Sequence, residues 1–110
     1  MTQQDLTPPI DRIKVSRREH FSRAYEMLQD EKTPQDLAGY AFRAELSGAK
    51  GLVFTLTESA GISRPNANTV VVNLNTIQMG ELSVGSYFML LTGDRLGERE
   101  AFVKLDIQVE

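Results

Sequence analysis

Strict alternation of apolar and polar residues is the feature that most constrains the fold of this 110-residue chain. In residues 40–47 every second side chain is apolar, and Arg43, Glu45 and Ser47 lie on the opposite face. A period of two residues is typical of a half-buried β-strand. The strand follows a turn sequence in which Asp36 can accept a hydrogen bond from its own backbone and Gly39 permits a left-handed conformation. These residues predict a β-sheet protein.

Further strands are predicted from the same period and from β-branched composition. The predicted strands are residues 40–47, 52–57, 70–74, 85–91 and 101–109. In the second strand Leu52, Phe54 and Leu56 are expected to point inward. About six short strands separated by turns indicate an all-β domain, either a sandwich or a small barrel.

The segments between these strands carry weaker signals. Residues 17–30 fit both a strand and a helix, and the surrounding β pattern favours a strand. Residues 58–68, with glycine, proline and asparagine, predict a loop, and residues 93–97 predict a turn. Residues 76–82 predict a single helical turn capped by Asn75 or Thr76.

Length and composition indicate one soluble domain over residues 16–110, preceded by a flexible arm over residues 1–15 that contains Pro8 and Pro9. The net charge of −3 argues against a nucleic-acid partner. The absence of cysteine excludes disulfides and thiolate metal sites. No apolar run is long enough for a membrane helix, and the first residues lack the hydrophobic stretch of a signal peptide, so we expect an intracellularly made protein with no membrane partner.

The residues offer no convincing catalytic or metal-binding group. His20 is the only histidine, so a zinc site would need carboxylates for its other ligands. Glu98 and Glu100 alternate with Arg99 near a turn, a pattern typical of a solvated rim. We therefore expect no enzyme activity, no catalytic residues, no cofactor and no metal.

The strand at 85–91 is apolar on both faces, although one face of a sandwich sheet should meet water. If Leu91 pairs with Ala101 across the hairpin, then Leu90 lies opposite Phe102. Phe88, Leu90 and Phe102 would then form an apolar patch on the outer face of the sheet.

Two interpretations of this patch carry about equal weight. Either the arm or the segment 17–30 covers it, or it is a contact between subunits, because exposed apolar patches of this kind mark interfaces. The candidate interface residues are Phe88, Leu90 and Phe102, together with Ile10 and Ile13 of the arm.

The order of several short motifs resembles a known family. Leu37-Ala38-Gly39 leads into the strand at 40–47, and Leu82-x-x-Gly85-x-Tyr87 opens the penultimate strand. With the valine-rich strand at 70–74 and the alternating last strand, this arrangement resembles the N-terminal domain family of the upper baseplate proteins of tailed bacteriophages and related prophage tail proteins. The resemblance covers roughly residues 17–109.

The resemblance implies an Ig-like antiparallel β-sandwich of about 6–8 short strands that builds part of a virion tail or baseplate and catalyses nothing. It further implies synthesis in the bacterial host cytoplasm and assembly as a homo-oligomer, with neighbouring virion tail proteins, or both. Two other functions stay open. One is a receptor- or glycan-binding module at the tail tip, with loops 58–68 and 93–99 as the binding loops. The other, least favoured, is a cell-wall hydrolase.

Overall fold

The computed structural model describes residues 10–27 and 36–110, and in these residues the protein is almost entirely β-structure. Eight strands and one short helix follow one another along the chain. They are β1 (Ile10–Val15), β2 (Phe21–Glu26), β3 (Ala41–Gly48), β4 (Gly51–Glu58), β5 (Gly61–Asn66), β6 (Thr69–Leu74), α1 (Thr76–Gly80), β7 (Gly85–Arg95) and β8 (Glu98–Val109). The only helix in the described ranges is five residues long, too short to cross a membrane.

The strands form one hydrogen-bonded sheet in the order β1-β8-β7-β3-β4-β5-β6-β2. Within the described residues β1 runs parallel to β8 and β4 parallel to β5, and the other neighbours are antiparallel. The sheet curls until its two edge strands, β1 and β2, meet. Where they meet, Asp11 of β1 accepts hydrogen bonds from Arg23 and Tyr25 of β2. This sandwich-like near-barrel confirms the predicted all-β class with its single short helical turn.

The core lies inside the curled sheet and follows the alternation seen in the sequence. Leu46 of β3, Val72 of β6 and Leu105 of β8 are completely buried, while the residues between the buried positions of these strands are partly exposed. Each fully buried aliphatic side chain contributes about 1.5–3 kcal/mol before conformational entropy is counted. The period-two pattern is therefore confirmed where a strand is regular.

Two local motifs also form as predicted. The Ala38 amide donates to Asp36 Oδ1 at 2.9 Å, and Gly39 adopts a left-handed φ of 85°. Asn75 caps α1 with its side-chain oxygen, and the side chain of Gln78 accepts a hydrogen bond from the Asn75 amide in return. Pro34, which opens the first of these turns in the sequence, lies outside the described residues.

The predicted loop at residues 58–68 is wrong, because most of it forms β5. Pro65 lies in β5 where its register against β6 shifts, so the missing amide hydrogen is tolerated there. Arg64 of β5 donates hydrogen bonds to the carbonyls of Tyr40 and Leu37, at 2.9 and 2.6 Å. The predicted turn at 93–97 shrinks to Leu96 and Gly97, since β7 and β8 extend to Arg95 and Glu98.

Part of the predicted flexible arm is also ordered. Residues 10–15 form β1, whose register against β8 runs from Ile10 opposite Lys104 to Val15 opposite Val109. Ile10, Ile13 and Val15 of the arm pair with the last strand, an arrangement that short-range sequence signals do not encode. Residues 1–9 lie outside the described residues. The favoured strand within 17–30 is confirmed as β2, and residues 28–30 are not described.

A bulge in the β3–β4 hairpin reverses the predicted direction of Leu52. Leu46 pairs with Phe54, but the next pair is Ser47 with Leu52, so Val53 is an extra residue. One extra residue exchanges the two faces of a strand beyond it. Leu52 therefore shares the outer face with Ser47 and is 59% exposed, whereas Leu56 is buried as predicted and Phe54 is half-buried.

A second bulge moves Phe102 from the outer face into the core. Leu91 pairs with Val103 and Thr92 with Ala101, which leaves Phe102 as the extra residue. The predicted pairing of Leu91 with Ala101 is therefore wrong by two residues. Phe102 is only 8% exposed and does not belong to an outer patch.

Candidate functional site

The outer face of the sheet carries an apolar patch whose members lie on β1, β7 and β4, three of five adjacent strands. In the hydrogen-bonded register Phe88 of β7 lies opposite Ser47 of β3, and Ser47 lies opposite Leu52 of β4. Leu90 is two residues from Phe88 along β7 and so shares its face. Phe88 is 44% exposed, and Leu90 is half-buried. We call Phe88, Leu90, Leu52 and the exposed Ile10 the outer patch.

Charged side chains interrupt the outer patch near β8. Lys104 lies in register between Ile10 of β1 and Leu90 of β7. Its Nζ lies 5.2 Å from the centre of the Phe88 ring, a distance typical of a cation–π contact. In the next cross-strand row Asp106 lies between Phe88 and Arg12. The outer patch is thus an apolar surface crossed by fixed charges.

A groove of about 570 Å³ begins at Phe88 and runs over β7, β8 and β1. Ser86 and Gln108 are hydrogen-bonded in it at 2.9 Å. Arg12 and Lys14 of β1 also line it, and Arg12 Nε lies 3.8 Å from Asp106 Oδ2. The groove therefore combines the Phe88 ring with two cations, of which Lys14 has no ion-pair partner among the described residues.

The structure brings together three of the five candidate interface residues. Phe88, Leu90 and Ile10 lie on the outer face, and Ile13 instead packs against the buried core. Phe102 is buried, as described above. Sequence reasoning missed Leu52, although Leu52, Val53 and Phe54 are three consecutive apolar residues. Such a run breaks the alternation and was the available signal that one of them faces outward.

Phe102 forms an aromatic cluster with Tyr40 and Phe42. Its ring centre lies 5.3 Å from that of Tyr40, edge to face, and 5.2 Å from that of Phe42. Gly93 leaves room for all three rings, since a Cβ there would come within 2.9 Å of Phe102. Burial raises the pKa of Tyr40, and the nearby Glu100 carboxylate raises it further. This cluster has a structural role beneath the end of the β7–β8 hairpin.

Electrostatic contacts bridge the seam between β1 and β2. Arg23 Nε lies 2.8 Å from Asp11 Oδ2, and the Tyr25 hydroxyl donates to the same oxygen at 2.7 Å. The hydrogen bonds from Arg23 lower the pKa of Asp11, with a smaller contribution from Tyr25. Burial raises the pKa of Tyr25, and its hydrogen bond to Asp11 adds to that rise. These shifts fit a structural cluster that fixes the curled sheet.

The residues considered for catalysis or metal binding are exposed and lie in two separate parts of the chain. His20 is exposed in the β1–β2 connection, and Glu98 and Glu100 are exposed on the β7–β8 hairpin. The Glu100 carboxylate accepts a hydrogen bond from the Tyr40 hydroxyl at 3.3 Å. In the described parts of the chain no group of three histidine, aspartate or glutamate side chains could hold a metal ion.

Comparison with known proteins yields little similarity. No family model matches the sequence, and no curated protein matches it. Among solved structures, extracellular domains 3–5 of Drosophila OTK are similar at 13% identity and a TM-score of 0.30, over 92% of this chain. The chain spans about a third (32%) of the length of that structure. The resemblance to the phage upper baseplate family stays a prediction.

Proposed function

We propose that this protein is a non-enzymatic structural component of a bacteriophage or prophage tail or baseplate, and that it works through protein–protein contacts made by the outer patch. The single observation that supports assembly is the outer patch itself. The tail assignment rests on the resemblance described above, together with the all-β fold that the resemblance implies.

The outer patch fits an interface better than a solvated surface. Phe88 and Leu52 are large, exposed and joined in one cross-strand row through Ser47. A lone sandwich would present polar side chains at these positions. Burying apolar surface contributes about 25 cal/mol per Å², so covering two such side chains favours association. Lys104 and the Arg12–Asp106 pair, which cross the patch, would add specificity.

Incorporation into tail particles tests the proposal. Particles would be purified from a culture that produces the protein, and the chain would be detected in them by mass spectrometry. A Phe88→Ser/Leu52→Ser variant should fold but be absent from the particles. The matched control is Ile77→Ser, which replaces a similarly exposed aliphatic residue on α1, outside the outer patch.

Two results would contradict the proposal. The first is that the wild-type chain is missing from purified particles. The second is that the double variant is incorporated as well as the Ile77→Ser control. Peptidoglycan turnover by the purified wild-type protein would separately contradict the non-enzymatic part.

A further inference from the structure

The tip of the β7–β8 hairpin carries a leucine in a position that leucine rarely occupies. Leu96 and Gly97 connect Arg95 with Glu98 in a two-residue turn, and both have positive φ, 54° and 80°. Turns of this type favour asparagine, aspartate or glycine at the first position. Leu96 thus carries backbone strain on the order of 1 kcal/mol and is 96% exposed.

This backbone strain is not offset by packing of Leu96 against the part of the chain that the structure describes. The residues from 95 to 101 are all exposed, so the tip projects beyond the core of the sheet. A strained residue that is kept without a local gain in packing is a reason to look for a function. A projecting leucine is suited to enter an apolar groove of another molecule.

The charges at the tip complement those of the groove beside Phe88. From residue 94 to residue 100 the hairpin has three carboxylates and two cations. Both cations are held within the chain, since Arg99 Nε lies 3.2 Å from Asp94 Oδ1 and Arg95 stacks on the Tyr40 ring at 4.4 Å. Glu98 has no ion-pair partner among the described residues.

The groove beside Phe88 has an apolar ring and charges that complement the leucine and the carboxylates of the hairpin tip. It presents the Phe88 ring, Arg12 with its carboxylate partner Asp106, and Lys14, which has no ion-pair partner in residues 10–27 and 36–110. Its lining therefore has two cations and one carboxylate, against the tip's three carboxylates and two cations. Its volume of about 570 Å³ is sufficient for a leucine side chain and the turn that carries it.

The tip and the groove of one molecule cannot meet each other. Leu96 is eight residues from Phe88 along β7, a separation of about 26 Å at 3.3 Å per residue. The two surfaces lie toward opposite ends of the same hairpin in a molecule 44 Å long. A contact between them must therefore join two copies head to tail, and such contacts repeat into a ring or a filament.

We propose that the β7–β8 hairpin tip of one copy inserts Leu96 into the groove beside Phe88 of a second copy, with Glu98 facing Lys14. This inference rests on the proposed function, since it names a second copy of the chain as the partner of that surface.

Mixing two variants tests the head-to-tail geometry. Leu96→Asp removes the tip and leaves the groove, and Phe88→Asp does the reverse. Light scattering across a concentration series should show wild-type self-association, and each variant alone should raise the dissociation constant about ten- to a hundredfold, as expected for losing one buried apolar side chain. A mixture should form a 1:1 complex of two chains through its one intact contact. Ile77→Asp is the matched control and should associate like wild type.

Several results would overturn the inference. A wild-type protein that is monomeric at all concentrations would overturn it, as would a mixture that stays monomeric. If Phe88→Asp blocks association and Leu96→Asp does not, the head-to-tail contact is wrong while the outer patch stands. Tail incorporation of the Phe88→Ser/Leu52→Ser variant, measured separately, tests the proposed function itself. Its loss supports that function even where the head-to-tail contact is wrong, and its retention contradicts that function.

Discussion

Truncating Phe102 should destabilise the fold far more than truncating Phe88, although both residues were assigned to one surface from the sequence. Phe102 is 8% exposed and Phe88 is 44% exposed. A buried phenylalanine replaced by alanine costs about 3–5 kcal/mol. Phe102 does not belong at the bottom of this range, because its two aromatic contacts each add about 0.5–1.5 kcal/mol beyond area burial.

Replacing Phe88 with alanine lowers the free energy of unfolding much less. About half of the side chain already meets water, and its contact with Lys104 is worth about 0.5–1 kcal/mol. We expect Phe88→Ala to cost about 1 kcal/mol and Phe102→Ala about 4 kcal/mol. The difference of about 3 kcal/mol corresponds to more than a hundredfold in the unfolding equilibrium constant.

Urea unfolding followed by circular dichroism measures this difference. It would be done at a protein concentration low enough to keep every variant monomeric. With a slope of about 1–2 kcal/mol per molar urea, the midpoint should fall by about 2–4 M for Phe102→Ala and by less than about 1 M for Phe88→Ala. If Phe102→Ala does not fold, Phe102→Leu gives a measurable, smaller shift in the same direction. Equal midpoint shifts at the two positions would refute the bulged register of β8.

Three further predictions test other parts of the structure. Gly93→Ala should cost about 1–3 kcal/mol, because its Cβ would crowd Phe102, and an unchanged urea midpoint would contradict the packing. Asp11→Asn should destabilise the protein near pH 7, because Arg23 lowers the pKa of Asp11 only in the folded state. The difference in unfolding free energy between wild type and Asp11→Asn should shrink as pH falls through and below 3.8, the ordinary pKa of that carboxyl. A gap of equal size at pH 7 and pH 2.5 would argue against this ion pair. Asn75→Ala should cost about 1 kcal/mol in thermal unfolding through loss of the helix cap, whereas Asn75→Ser should cost much less.

The sequence predicted the regular strands correctly, and it also predicted the face on which two residues of the outer patch lie. Phe88 and Leu90 could be placed on the outer face, since β7 is apolar on both faces and one of them must be exposed. Leu52 could not be placed, because its direction depends on a bulge formed with β3. The assembly function and the phage assignment stay predictions.

The sequence alone determined the features that depend on residues only a few positions apart in the chain. Alternation fixed the buried faces of β3, β6 and most of β8, and Asn75 fixed the start of α1. Such features follow from backbone geometry and local hydrogen bonds.

Tertiary structure decided everything that depends on register between distant strands. The two bulges sent Leu52 outward and Phe102 inward, and the parallel pairing of β1 with β8 ordered residues that look like an arm. The physical reason is that side chains alternate with a period of two, so a single extra residue exchanges the faces of a strand. Where that residue is placed depends on which partner the strand meets.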